Sequence, residues 1–153
     1  MPATPEPSRA RARSAARLAA VQALYQMEME GTPLRALLIE FHRHRLGGEI
    51  EGEQLVDAEP DFFDAVVAGV DARRDEIDAL IAARLAKGWT LERLDKPMKQ
   101  ILRAGTWELI ARPDVPHAAA ISEYVDVAKA FYDAREAGFV NGLLDAIARD
   151  ARA

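Results

Sequence analysis

Cysteine is missing from this sequence of 153 residues. Disulfides, thiolate metal sites and cysteine nucleophiles are therefore excluded, and the chain suits a reducing compartment. Long apolar runs are missing too. No stretch approaches the ~20 residues needed to span a bilayer, and the start, MPATPEPSRARAR, has no hydrophobic segment of the signal-peptide kind. A soluble cytoplasmic protein with no membrane association is expected. Serine and histidine are scarce, limited to Ser8, Ser14, Ser122, His42, His44 and His117. No serine lies in a G-x-S-x-G setting, and neither a Walker sequence nor G-x-G-x-x-G is present. His42 and His44 fall about 200° apart on a helix and cannot share a metal on it. His117 follows the helix-opening Pro116 and decorates a first turn. No catalytic residue, metal or cofactor is expected, and an enzyme reading has nothing specific behind it.

What is present is an ordinary globular balance: half the residues are hydrophobic and 29% are charged. Length alone suggests one domain, residues 9–153, behind a flexible arm at residues 1–8 that holds Pro2, Pro5 and Pro7. Apolar residues then recur at helical spacing almost throughout. Leu18, Val21, Leu24 and Tyr25 mark a first helix that begins near Ser8 or Ser14. Gly31, Thr32 and Pro33 make a joint, with glycine at C′, threonine as N-cap and proline opening the next helix. That helix carries Leu34, Leu37, Leu38 and Phe41. An acidic loop, GGEIEGEQLVDAEP, leads to Pro60, which opens a helix through Phe63, Val66, Val67 and Val70. The register breaks in Asp71–Asp75 and resumes through Ile77, Leu80, Ile81 and Leu85. Later helices are bounded by Pro113, Pro116 and Gly138. The reading is an all-α fold of about seven helices.

Charge is unevenly spread. Residues 1–17 hold four arginines and one glutamate, a net of +3 in a chain of net −5, so residues 18–153 carry −8. With Arg13 at 0° on a helical wheel, Arg17 falls at about 40° and Arg9 at about −40°, a stripe beside the apolar face, while Arg11 lies across it at about 160°. Guanidinium groups fork onto phosphate oxygens and tolerate desolvation better than ammonium. Solubilising charge is the alternative, but cations near a helix N-terminus oppose the macrodipole. Phe131, Tyr132 and Phe139 gather around the last turn, where rings could stack unpaired bases or pack into the core. Asn141 and Gly142 suggest a buried amide and a close helix approach.

Three stretches, AVQALYQ after the arginines, WTLERLDKPMKQILRAGTWELIARPDVPHAAAISEYVDVAKAF and GFVNGLLD, together resemble the NusB family of bacterial transcription antitermination factors. The resemblance runs from about Arg9 to Ile147, and its most specific part is LR-x4-EL-x2-R-x-DVP through Leu102, Arg103, Glu108, Leu109, Arg112 and Asp114–Pro116, with F-V-N-G at Phe139–Gly142. It implies two small helical bundles packed together. It also implies an RNA-binding adaptor that pairs with a small-subunit ribosomal protein acting as NusE. The pair would bind single-stranded boxA RNA of nascent rRNA transcripts, working with other Nus factors on RNA polymerase. Arg13 and Arg17 match the family's arginine motif, and Phe139 is implied as a base contact. Tyr25, Met98 and Phe131 fall to the ribosomal-protein interface. Ser14 and Ala15 stand where the motif is often arginine, and Arg9 and Arg11 compensate upstream. Arg135 stands in a turn that is often acidic and adds an RNA contact. The loop at Gly47–Glu59 is long for the family. Two rival readings are a helical homodimeric interaction protein and an accessory module akin to the RNA-binding domain of rRNA cytosine methyltransferases.

Each phosphate neutralised on single-stranded RNA adds about 0.7 to the log–log salt slope, so four arginines allow a slope of roughly 3 at most. Replacing Arg13 and Arg17 together by Ala is expected to lower that slope with helicity retained, as read by titration at several salt concentrations and by circular dichroism. An unchanged slope would remove both from the RNA contact.

Overall fold

The computed structural model describes residues 6–46, 49–50, 53–54 and 58–152. Among them are seven α-helices: α1 (Glu6–Glu30), α2 (Leu34–His44), α3 (Pro60–Ala72), α4 (Arg74–Ala82), α5 (Lys96–Ala111), α6 (His117–Lys129) and α7 (Ala134–Ala151). A 3-10 turn at Leu91–Arg93 precedes α5. Within the expected acidic loop, β1 (Glu49–Ile50) and β2 (Glu53–Gln54) pair antiparallel as a two-residue ladder. The rest of that loop, like residues 1–5 of the expected arm, lies outside the described residues. Glu6, Pro7 and Ser8 already belong to α1, so helix replaces arm there. The chain divides into two compact units at the Val67–Ala68 step inside α3.

In the first unit Gly31 ends α1 with φ +70°, its N–H bonded to the Met27 carbonyl at 2.9 Å, as a C′ glycine should. Pro33 rather than Thr32 caps α2, because its extended ψ of 146° leaves Leu34 as the first helical residue. The buried face of α1 is built mainly of alanine (Ala16, Ala19, Ala20 and Ala23, with Val21 and Leu24). Larger side chains come from α2 and α3. Phe41 and Phe63 stack with centroids 5.4 Å apart and planes 19° from parallel, a contact contributing about 0.5–1.5 kcal/mol beyond its area.

The second unit is organised around α5, buried at every position from Met98 to Leu109. Helices α4, α6 and α7 pack on it. Such burial includes polar groups; the Thr106 hydroxyl is buried without a hydrogen-bond partner among the described residues, whereas the charged Arg103 and Glu108 are paired. Arg103 forks onto Asp78 of α4 at 2.8 and 2.9 Å, and Tyr124 of α6 donates to Glu108 at 2.9 Å. Arg152 donates to the carbonyls of Leu109, Arg112 and Val115 at 2.8–2.9 Å, tying the end of α5 to the turn that follows it. Arg84 pairs with Asp150, and that hydrogen bond holds the aspartate below the ordinary carboxylate range. Its stabilising effect is thus complete above the ordinary range and fades as pH falls through the lowered value.

Two sequence expectations change here. The last helix starts at Ala134, with Asp133 at its N-cap, so Gly138 lies inside it rather than before it. Asn141 and Gly142 are exposed, and nothing lies within 4 Å of a Cβ added at Gly142, because the buried face of α7 follows Val140, Leu143, Leu144 and Ile147. The close-approach glycines are Gly69 and Gly105. A Cβ at Gly105 would stand 2.8 Å from Leu144, and one at Gly69 would stand 2.1 Å from the Trp107 indole nitrogen.

Gly69→Ala is therefore expected to destabilise the protein by about 1–3 kcal/mol or more, since Trp107 is buried and its ring must shift. Urea denaturation followed by circular dichroism checks this. Gly142→Ala, at an open position, is expected to hold or raise the midpoint.

Candidate nucleic-acid interface

Each unit carries part of the residue set singled out by the sequence. In the first unit, Arg9 and Arg11 are exposed on the opening turns of α1. Arg13 and Arg17, one turn apart, both place their guanidinium carbon 4.9 Å from the centroid of the Phe62 ring. Arg13 keeps about a third of its side chain in solvent (35%) and donates from Nε to Glu59 at 3.2 Å. The Glu59 N–H in turn bonds the Ala12 carbonyl at 3.0 Å, which fixes the entry to α3 against α1 and brings Phe62 beneath the arginines. Arg17 is only 4% exposed. Ser14 turns its hydroxyl back to the Ala10 carbonyl at 3.0 Å. Tyr25, 38% exposed, lies two turns further along the same helix.

In the second unit the turn between α6 and α7 holds Phe131 and Tyr132, whose ring centroids lie 6.3 Å apart. Phe131 and Phe139 are each 40% exposed, so the core alternative left open by their spacing does not hold for either. Phe139 stands in the second turn of α7 rather than in the connection, and Arg135 is exposed one turn before it. A shallow hollow of about 390 Å³ is lined by Lys129, Phe131, Tyr132, Asp133 and Glu136, among others. Tyr132 braces it: its hydroxyl donates to Asp95 and accepts the Met98 N–H at 3.1 Å. Burial, then the bond to Asp95, pushes the phenol well above its ordinary value, so it stays a donor at any physiological pH.

Two expected contacts need correcting in role. Arg17 and Met98, at 4% and 5% exposure, are interior. Arg17 props the arginine row on Phe62, and Met98 offers its backbone N–H to Tyr132. Sequence reasoning missed Phe62, Glu59 and Tyr132 as supports. The only local signal was the aromatic pair after Pro60, which reads equally well as core. Among the described residues no group of three His, Cys, Asp or Glu side chains could hold a metal ion. No described helix is long and apolar enough to cross a membrane.

Comparisons with known proteins converge. The NusB family model matches residues 14–149. Transcription antitermination protein NusB of Sphingopyxis alaskensis is 69% identical over 144 residues, 94% of this chain and 97% of that protein. The protein of the same name from Caulobacter vibrioides is 52% identical over 145 residues, 95% of this chain and 97% of its own. The solved T. maritima NusB superposes with a TM-score of 0.74 at 29% identity, covering 90% of this chain and 91% of that one. A chain from a crystal structure of antitermination factors NusB and NusE in complex with double-stranded RNA gives 0.76 at 25% identity, covering 92% and 98%.

The geometry separates two arginines that share one motif. Arg17→Ala is expected to cost about 1–3 kcal/mol, because it removes a buried side chain and its contact with Phe62. Arg13→Ala is expected to cost under about 1 kcal/mol, since its ion pair is a third exposed. Thermal denaturation of the two single variants measures the difference, and equal midpoints would contradict it.

Proposed function

This chain belongs to the NusB family of transcription antitermination factors, and we propose that it works as a non-catalytic RNA-binding adaptor in the cytoplasm. The proposed ligand is single-stranded boxA RNA of nascent rRNA transcripts. A small-subunit ribosomal protein acting as NusE is the proposed partner, and the pair serves processive rRNA synthesis with other Nus factors on RNA polymerase.

The observation that carries this reading is the arginine row on α1. Arg9 and Arg11 reach solvent in the opening turns of α1, Arg13 keeps a third of its side chain exposed, and Arg13 and Arg17 share one ring as a prop. Such placement makes sense if phosphates complete the charge balance. Phe131 and Phe139 support a single-stranded ligand, because exposed rings stack unpaired bases and have no access to bases in a duplex. The relative solved with NusE and double-stranded RNA makes both partner classes reasonable for this chain, and strand preference is part of the test. Arg135 adds a cation beside Phe139. Tyr25 in the first unit and Phe131 in the second, both exposed rings, are each proposed for the ribosomal partner, and in the second unit Met98 braces Phe131's neighbour Tyr132. A net charge of −8 over residues 18–153 weakens RNA binding by the chain alone, and a basic partner would offset it.

Fluorescence anisotropy of labelled boxA RNA, a scrambled strand and a boxA duplex, with and without the ribosomal protein and at several salt concentrations, tests the reading. Selective binding of the single strand that strengthens with the partner is expected. Replacing the exposed Arg9 and Arg11 by Ala should lower the salt slope by roughly 1.4, two phosphates' worth, without moving the melting temperature. No selectivity and no partner effect, together with a stable homodimer by sizing chromatography, would turn the assignment toward the homodimeric alternative.

A further inference from the structure

One face of α2, within the first unit, has no part in the reading above. Arg35, Leu38, Ile39, His42 and Arg43 line an open groove of about 460 Å³, with Asp64 of α3 on its far wall. On a helical wheel these five α2 residues span an arc of about 140°, so they form a single face. Ile39 is 46% exposed at the middle of that face, and Leu38 is half-buried beside it. Arg35 and Arg43, both exposed, stand four residues before and after Ile39, about 6 Å along the helix axis in each direction. The nearby carboxylates are engaged: Asp64 faces His42 Nε2 at 2.6 Å, and Glu40, off this face, accepts from Gln26 at 2.8 Å. The face is thus an aliphatic patch bracketed by two guanidinium groups, in a chain whose net charge is −5.

The geometry points to a docking groove for an acidic amphipathic helix of a protein partner. Its aliphatic side chains would cover Leu38 and Ile39, and carboxylates about 12 Å apart would reach Arg35 and Arg43. Such a partner buries an isoleucine otherwise left in water and supplies the charge the arginines lack. RNA fits this face poorly. The one ring on the face itself, His42, is tied to the Asp64 carboxylate at 2.6 Å, which sets a negative charge where a nucleotide would stack, and the next rings, Phe41 and Phe63, are buried and stacked on each other. A second copy docked symmetrically would set arginine against arginine, and a basic ribosomal protein meets the same repulsion. The occupant is therefore a further, acidic component, and the inference stands independently of the boxA reading.

The test is a titration of the full ¹⁵N-labelled chain with a synthetic helical peptide of about 15 residues, long enough to hold its shape when bound. The peptide carries leucines on one face and glutamates bracketing them. Three controls accompany it: lysine in place of glutamate, serine in place of leucine, and a single-stranded RNA oligonucleotide. Saturable shifts of the amides of residues 35–43 with the glutamate–leucine peptide alone are expected. Ile39→Asp should weaken that binding by about tenfold or more, and Arg35→Glu with Arg43→Glu should transfer it to the lysine peptide. The proposal falls if no saturable shift appears on α2, or if either control peptide binds as well. It falls equally if RNA moves those amides, or if they shift with protein concentration alone.

Discussion

Burial of α5 along its whole central length is the constraint on which the second unit depends. A helix enclosed from Met98 to Leu109 cannot leave Arg103 or Glu108 unpaired, because an uncompensated charge in that setting costs several kcal/mol. Asp78 of α4 and Tyr124 of α6 therefore serve as more than packing. Each binds a neighbouring helix to α5 through a directional contact, whereas apolar burial alone would permit sliding. Arg152 extends the same principle to the end of α5 by collecting three backbone carbonyls, so that the Asp114–Pro116 turn is held by the last turn of the chain.

The arginine row of the first unit follows a different logic. Arginines stacked along one side of a helix repel one another, and the chain meets this with an aromatic ring and one carboxylate. Phe62 holds both guanidinium groups within cation–π distance, 4.9 Å from its ring centroid. Arg17, inside, is the fixed member, and Arg13, a third exposed, is held in line by Glu59. Arg9 extends the row into solvent, and Arg11 adds an exposed cation on the opposite border of the helix. A graded series of this kind keeps some cations preorganised while the outermost remain adaptable, which suits a flexible polyanion such as single-stranded RNA.

The α6–α7 turn shows the same division between support and display. Tyr132 is tied to Asp95 and to the Met98 N–H, so the residues beside it can stay exposed without the turn fraying. Phe131 and Phe139 are displayed, and Tyr132 is the anchor. Three aromatics within nine residues of sequence therefore divide into one structural and two surface residues.

Much of this protein was determined by the sequence alone. Prolines at 60, 113 and 116, the glycine at 31 and the charged break at Asp71–Asp75 punctuate a helical period strong enough to place seven helices, because backbone hydrogen bonding and apolar spacing are local properties. The arginine stripe was legible for the same reason, as was the family pattern. Tertiary structure decided which residues support and which display. Phe62 lies 45 and 49 positions from Arg17 and Arg13, Gly69 is 38 from Trp107, and Asp95 is 37 from Tyr132, separations at which a helical period carries no information. That is why Arg17 and Met98 read as contacts and proved interior, and why the close-approach role moved from Gly142 to Gly69 and Gly105. Contacts made by chain folding depend on which faces meet, and only the packed helices define those faces.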